Sequence, residues 1–420
     1  MESRNKNILV YANWKGLSQS TLLGVLSVQL LRGKEVFSFE YDSAWLQSNF
    51  SLVLDPSLGF FSGKQFLSEG KINFGLFLDS SPDRWGRLLM RRREAILAKQ
   101  EERKERTLFE ADYLLGVFDE HRVGGLRFKV DAEGDYVNNH RAMATPPWAM
   151  LRELENASLQ LEKEDAVESS SYTKWLSLLV DPGSSLGGAR PKSSVLDEKG
   201  NLWIAKFPSA ADEKNVGLWE YVAQELAKKS GIIVPAFQVA KFSKKHHTFL
   251  SKRFDRENKN TRIHFASAMN LLGYTDGANS EIGASYLELV SFIMRNGASV
   301  KPDLEQLWRR IVFSILISNT DDHLRNHGFL LSPLGWHLSP AYDLNPNEFG
   351  RGLTLNIDEH SNEMDTELAL SVAKYFKLSA PRSKEILREV EKVVSTWNAV
   401  AKNAGLTRSE IDSMSSAFHV

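Results

Sequence analysis

Apolar positions change their period near the middle of the chain. NILVYANW (residues 7–14) opens with a run rich in strand formers, and KEVFSFEYD (34–42) alternates apolar and polar positions as a half-buried strand does. Residues 7–60 therefore predict short strands and turns. From Ser81 the pattern turns helical: SPDRWGRLLMRRREAILAKQEERKER begins on a cap-like Ser-Pro-Asp and carries Leu88, Leu89, Ile96 and Leu97. A polar stretch over roughly 131–172 reads as loops around one helix. KSSVLDEKGNLWIAKFP (192–208) predicts a hairpin turning on Glu198-Lys199-Gly200. Asn215 to Ser230 reads as an amphipathic helix stopped at Gly231, and AFQVAKF and HTFLSKRF follow as strands. After about residue 262 strand signals largely vanish. Helical periodicity then dominates over 285–295, 303–318, 366–376 and 383–403. The expectation is an α+β fold with an α/β N-terminal lobe and a mostly helical C-terminal lobe.

Composition bounds this picture. At 420 residues the chain is too long for one ordinary core. The formal net charge of −1 gives no general attraction to nucleic acid. Residues 91–106 hold seven Lys/Arg against four Glu, which reads as a solvated helix face or, alternatively, a basic contact surface for nucleic acid. The absence of cysteine excludes disulfides, thiolate zinc sites and a cysteine nucleophile. MESRNKNILVYANWKG has no long apolar core of a secretory signal, and no run of 18 apolar residues occurs, so a cytoplasmic chain is expected.

Three constellations carry candidate chemistry. SNTDDHLRNHGFLL (318–331) places Asp321 and Asn326 five residues apart, the D-x-x-x-x-N spacing of a protein-kinase catalytic loop. Such a loop needs a second oxygen ligand for Mg²⁺ downstream, and Asp343 lies within an apolar frame in WHLSPAYDLNP. His323 and His327, spaced i, i+4, offer a zinc alternative, but the intervening residues lack the glutamate of H-E-x-x-H. A polar loop that merely caps the preceding helix is the third reading. In DPGSSLGGARPKSSV (181–195), Gly183, Gly187 and Gly188 suit either an anion-binding nest or an ordinary turn; Arg190 and Lys192 favour a phosphate. In NLWIAKFP, Lys206 lies in a strand that otherwise looks buried. It either points to water from an edge or meets a phosphate or a carboxylate, for which Glu220 is the candidate. These elements fall in kinase order: Gly-rich loop, strand lysine, helix glutamate, D-x-x-x-x-N, then Asp.

Taken together, GSSLGGARPKSSV, WIAKFP, LSKRFDR, NTDDHLRNHGFLL and LSPAYDLNP resemble the HipA family, toxin kinases of bacterial type II toxin–antitoxin modules. The resemblance implies a two-lobed, protein-kinase-like fold: an accessory subdomain over 1–110, an N-lobe over 111–260 and a helical C-lobe over 261–420. It makes Asp321 the catalytic base, with Asn326 and Asp343 holding Mg²⁺. Lys206 contacts the phosphates of ATP, while Lys252, Arg253 and Phe254 flank adenine and Tyr342 adds to the nucleotide site. Ser185, Gly187, Gly188, Ala189, Arg190 and Lys192 form the loop over the phosphates. Ser185, or the adjacent Ser184, falls where the family carries its autophosphorylated serine, whose modification ejects the loop. The implied activity is Ser/Thr protein phosphorylation, with an aminoacyl-tRNA synthetase as the target. The implied partner is a small HipB-like helix-turn-helix antitoxin, through which the complex reaches operator DNA. The alternative is a catalytically weak co-repressor that docks onto that antitoxin. Asp322, a second carboxylate beside the base, has no role in this pattern.

Overall fold

The structure is a computed structural model and describes residues 5–48, 50–139, 145–163, 166, 169–180, 188–257 and 261–420. It divides into two compact units, one formed by Met1–Ala210 with Asp255–Ala266, the other by Ala211–Phe254 with Ser267–Val420.

The first unit is built on strands β1 (Lys6–Ala12), β2 (Thr21–Leu31), β3 (Lys34–Tyr41), β4 (Gln65–Phe66) and β5 (Leu126–Lys129), antiparallel in the order β4-β3-β2-β1-β5. The alternation seen in the sequence gives one face to the core. Ile8, Val10 and Ala12 are fully buried, as are Leu26, Phe39 and Phe128 from the neighbouring strands. Short helices α1 (Ser43–Leu46) and α2 (Gly75–Leu78) lie in the connections, and Phe77 of α2 meets Phe39 and Phe128 edge-on or tilted. Helix α3 (Arg84–Gln100) starts where the Ser-Pro-Asp signal places it: the Asp83 carboxylate accepts the Gly86 N–H. Helices α4 (Glu110–Gly116), α5 (Leu151–Leu161) and α6 (Tyr172–Val180) follow, so a second helix begins at the end of the polar stretch that predicted one. The hairpin of β6 (Lys192–Leu196) and β7 (Leu202–Lys206) turns as expected. Gly200 supplies the positive φ of 75°, and Asp197 accepts from the N–H groups of Lys199 and Asn201 and from the Trp203 indole.

The basic run 91–106 is bound into this unit. Glu94 is 3% exposed and accepts from the guanidinium groups of Arg103 and Arg106 and from the Arg106 backbone N–H, while Arg92 donates to the Leu161 carbonyl. The Arg103 and Arg106 bonds hold the Glu94 carboxyl at about 2. A group depressed in this way stabilises the fold fully at neutral pH and loses that contribution only as pH falls through its native value. Glu94→Gln is therefore expected to lower stability at pH 7 by about 2 kcal/mol, read as a lower urea midpoint. An unchanged midpoint would deny the run this structural role.

The second unit contains α7 (Val216–Lys229), β8 (Phe237–Ala240), β9 (Thr248–Lys252), α8 (Ala268–Leu271), α9 (Tyr286–Asn296), α10 (Val300–Leu316), the hairpin β10 (Gly328–Ser332) and β11 (Gly335–Leu338), then α11 (Thr366–Val372), α12 (Ala380–Val394), α13 (Trp397–Ala404) and α14 (Arg408–Met414). Helix α7 ends at Gly231 with φ 77°, as read from the sequence. Every residue of α10 from Leu307 to Leu316 is buried, which marks it as the central helix, with α9, α11 and α12 packed on it. The sequence missed the hairpin at 328–338. Its strands are only five and four residues long, too short for periodicity to separate strand from helix. Among the described residues no helix is long and apolar enough to cross a membrane.

Candidate active site

Helix α10 delivers the chain into the loop 318–327, which leads on to β10. Ser318 turns out of the helix with φ 48°, and its hydroxyl lies 2.7 Å from His419 Nε2, while the His419 N–H donates to the Leu316 carbonyl. Further along, Thr354 donates to the Thr320 carbonyl and Tyr342 to the Arg325 carbonyl at 2.6 Å. The Ala268 N–H donates to the His327 carbonyl. The loop's backbone is thus anchored by three separate segments of the second unit.

The adjacent carboxylates have opposite surroundings. Asp321 is open to solvent, its side chain 82% exposed, with His323 Nε2 3.8 Å away. Partial enclosure by the loop raises its pKa; His323 opposes this, and the charges of Asp343 and Asp322 reinforce it. Solvent screening around so open a side chain keeps the effect modest. Asp322 is buried. Its Oδ2 accepts from the Tyr286 hydroxyl at 2.7 Å and from Ser314 at 3.2 Å. Its Oδ1 lies 2.9 Å from His327 Nε2, an electrostatic contact whose angle is poor for an N–H···O bond. Burial alone would raise the Asp322 pKa, but His327, Tyr286 and Ser314 outweigh it, so the group is held below the ordinary range.

Asn326 Nδ2 donates to the Asp321 carbonyl at 2.8 Å, leaving the amide oxygen as an acceptor. The five-residue spacing read from the sequence is therefore the span of one closed turn. Asp343 sits in the left-handed region, φ 58°, and its Oδ1 accepts from Asn345 Nδ2 at 3.3 Å. A carboxylate and an amide oxygen are hard donors suited to Mg²⁺, and the repulsion that Asp343 exerts on Asp321 is what a bound cation would relieve. The residues thus fit this ion. They do not suit zinc in the way the i, i+4 histidines suggested: residues 321–327 form turns and not a helix, and the described residues contain no cluster of three or more His, Cys, Asp or Glu able to hold a metal.

The second unit also brings Phe254 against Tyr342, ring centroids 5.6 Å apart, so the segment after β9 meets the residue that precedes Asp343. Lys252 is half-buried and Arg253 buried. Glu220 is buried on α7. The remaining sequence-derived residues belong to the first unit. Lys206 ends β7, half-buried and directly opposite Lys192. Lys192 departs from the expectation of a phosphate-facing cation: it is 2% exposed, and its ammonium lies 2.9 Å from Asp83 and 3.2 Å from the Gly188 carbonyl. Neutralisation of Lys192 by Asp83 reduces the like-charge repulsion across this pair. Gly188 (φ 87°) and Ala189 are exposed, and Arg190 is half-buried. Ser184, Ser185 and Gly187 lie outside the described residues. Tyr286, Ser314 and His419 escaped the sequence reading. A Ser285/Glu288 capping box marks the start of α9, but nothing local says that the Tyr286 hydroxyl meets a residue 36 positions on.

An α/β unit carrying a strand lysine and a largely helical unit carrying this loop define the class: a two-lobed, protein-kinase-like α+β protein. A family model, the HipA-like C-terminal domain, matches residues 184–397. The chain belongs to the HipA-like family. A putative kinase of Haemophilus influenzae is 27% identical over 181 residues, 38% of this chain and 52% of that protein. The serine/threonine-protein kinase toxin HipA of Shewanella oneidensis is 24% identical over 247 residues, 51% of this chain and 56% of that protein. The matches thus span about half the length of these curated relatives. The solved Shewanella oneidensis HipA, in complex with HipB and its operator DNA, shares the fold with a TM-score of 0.63 and 16% identity, over 98% of this chain and 94% of that one.

Proposed function

We propose that this chain is a toxin kinase that transfers the γ-phosphoryl group of ATP to a Ser/Thr hydroxyl of a protein, and to its own Ser184 or Ser185. One observation carries the reading: an outward Asp321 whose carbonyl is closed onto Asn326 and whose carboxylate senses the charge of Asp343. Asp321 orients the acceptor hydroxyl and takes its proton as the oxygen bonds to the γ-phosphorus and the bond to ADP breaks. Mg²⁺, held by Asn326 and Asp343, would supply charge neutralisation of the phosphates. Lys206 and the loop of Gly188, Ala189 and Arg190 position the phosphates. Phe254, Lys252, Arg253 and Tyr342 hold the base. Lys192 serves that loop as a brace from within. The fold shared with the HipB-bound protein supports a HipB-like helix-turn-helix antitoxin as partner, with DNA reached through it. An aminoacyl-tRNA synthetase in the cytoplasm is the proposed target.

The test is incubation of the purified chain with γ-labelled ATP and Mg²⁺, followed by phosphosite mapping. Label on Ser184 or Ser185 is expected. Absence of label from a protein that binds ATP would instead favour a co-repressor without catalysis.

A further inference from the structure

We infer that Asp322 is a positioning residue: its buried carboxylate is the root of a polar network that sets both the outward Asp321 and the metal-facing Asp343. The catalytic part of this inference rests on the kinase reading; the network itself does not. Its first branch runs through three elements. Tyr286 from the start of α9, Ser314 from α10 and His327 from the end of the loop all converge on the one carboxylate. Adjacent side chains on a non-helical backbone diverge, so drawing Asp322 inward turns Asp321 outward. The second branch continues from Ser314. Its hydroxyl, which donates to Asp322, accepts from Asn319 Nδ2 at 3.3 Å; Asn319 Oδ1 accepts the Asn345 N–H at 3.2 Å; Asn345 Nδ2 donates to Asp343 at 3.3 Å. Each of these four groups donates once along the branch, while the Asn345 amide oxygen is buried without a hydrogen-bond partner among the described residues.

Energetics favour a geometric role over a stabilising one. Burying a carboxylate carries a desolvation penalty that its contacts at best offset, and apolar replacements of buried ion pairs are often neutral or better. What such a group gives is a single arrangement, because the Tyr286 and Ser314 hydroxyls both reach it in one geometry only. Arg310, whose guanidinium donates to the Ser339 carbonyl, lies close enough for its charge to be favoured by Asp322, which ties the root of the β10–β11 hairpin to the same charge.

The experiment compares the wild type with Asp322→Asn, Ser314→Ala and the milder Tyr286→Phe. Amide hydrogen exchange of peptides covering 318–327 and 343–347 is read first, since it needs no activity. Asp322→Asn and Ser314→Ala are expected to speed exchange in both segments, and Tyr286→Phe in the first. If wild type transfers phosphate, Asp322→Asn should lower kcat by ~10- to 100-fold, as misplaced reacting groups do, with the KM for ATP within about twofold. Ser314→Ala should give a smaller loss of the same kind. Unchanged exchange in both segments of folded Asp322→Asn overturns the inference. So does a kcat loss that matches only the loss of folded protein. If wild type transfers no phosphate, the kinase reading fails and exchange alone decides the network.

Discussion

Asp321→Asn is expected to abolish phosphate transfer, lowering it by ~10²- to 10⁴-fold, with melting temperature and ATP affinity close to those of the wild type. The side chain is mostly in solvent, so its removal takes nothing from the core. Asparagine keeps the shape of the residue. It also keeps the carbonyl onto which Asn326 closes, because that bond is to the backbone. What it lacks is a carboxylate to accept the hydroxyl proton. Measured with γ-labelled ATP, a variant that still labels Ser184 or Ser185 at the wild-type rate would remove Asp321 from the chemistry. A variant that loses ATP binding together with transfer would show that Asp321 supports nucleotide binding rather than the transfer step.

The two carboxylates of this loop show how far sequence carries. Asp321 and Asn326 were legible because their spacing is local: six residues make one turn, and the turn is closed by a bond between its ends. The same holds for the Asp83 cap, the Gly200 turn and the Gly231 stop, each set by chemistry within a few residues. Asp322 was illegible because its hydroxyl partners lie 8 and 36 residues away on two helices. Lys192 gave a plausible but different reading for the same reason: a lysine beside a Gly-rich loop suggests phosphate, and only the fold brings Asp83, 109 residues earlier, onto its ammonium. The 328–338 hairpin fell short on length alone. Local periodicity places elements; it does not say which polar groups will meet inside them.

Arg122 is the strongest case of that kind, and replacing it should have the largest effect on stability. Nothing in HRVGGLRFKV marks it, yet it is fully buried in the first unit. Its guanidinium donates to the carbonyls of Ser80, Leu114, Val117 and Val137 and lies 4.5 Å over the Phe128 ring. Burial pushes its pKa down, to about 9, with the charge of Asp119 opposing, and the group stays cationic at neutral pH. Arg122→Met keeps the length and apolar volume but takes the guanidinium donors away from those carbonyls, of which Val117 keeps the Asn138 N–H. A loss of about 3–5 kcal/mol is expected, the scale for breaking a buried charged network. Lysine has three donors and no planar fork, so Arg122→Lys should recover part of the loss. The pH dependence separates this site from its neighbour. Asp119 would be raised by burial, but Arg262, Arg127 and Arg122 together lower its pKa. Its contribution is full above the ordinary carboxylate range and is lost as pH falls through the depressed native value. In Arg122→Met that depression is weakened, so part of the acid-labile stability should vanish along with the loss at neutral pH. Urea midpoints at pH 7 and pH 4 would check both. A methionine variant as stable as wild type at pH 7 would mean that the packed side chain offsets the stranded carbonyls, and that the fork of bonds fixes the path of residues 114–137 without stabilising it.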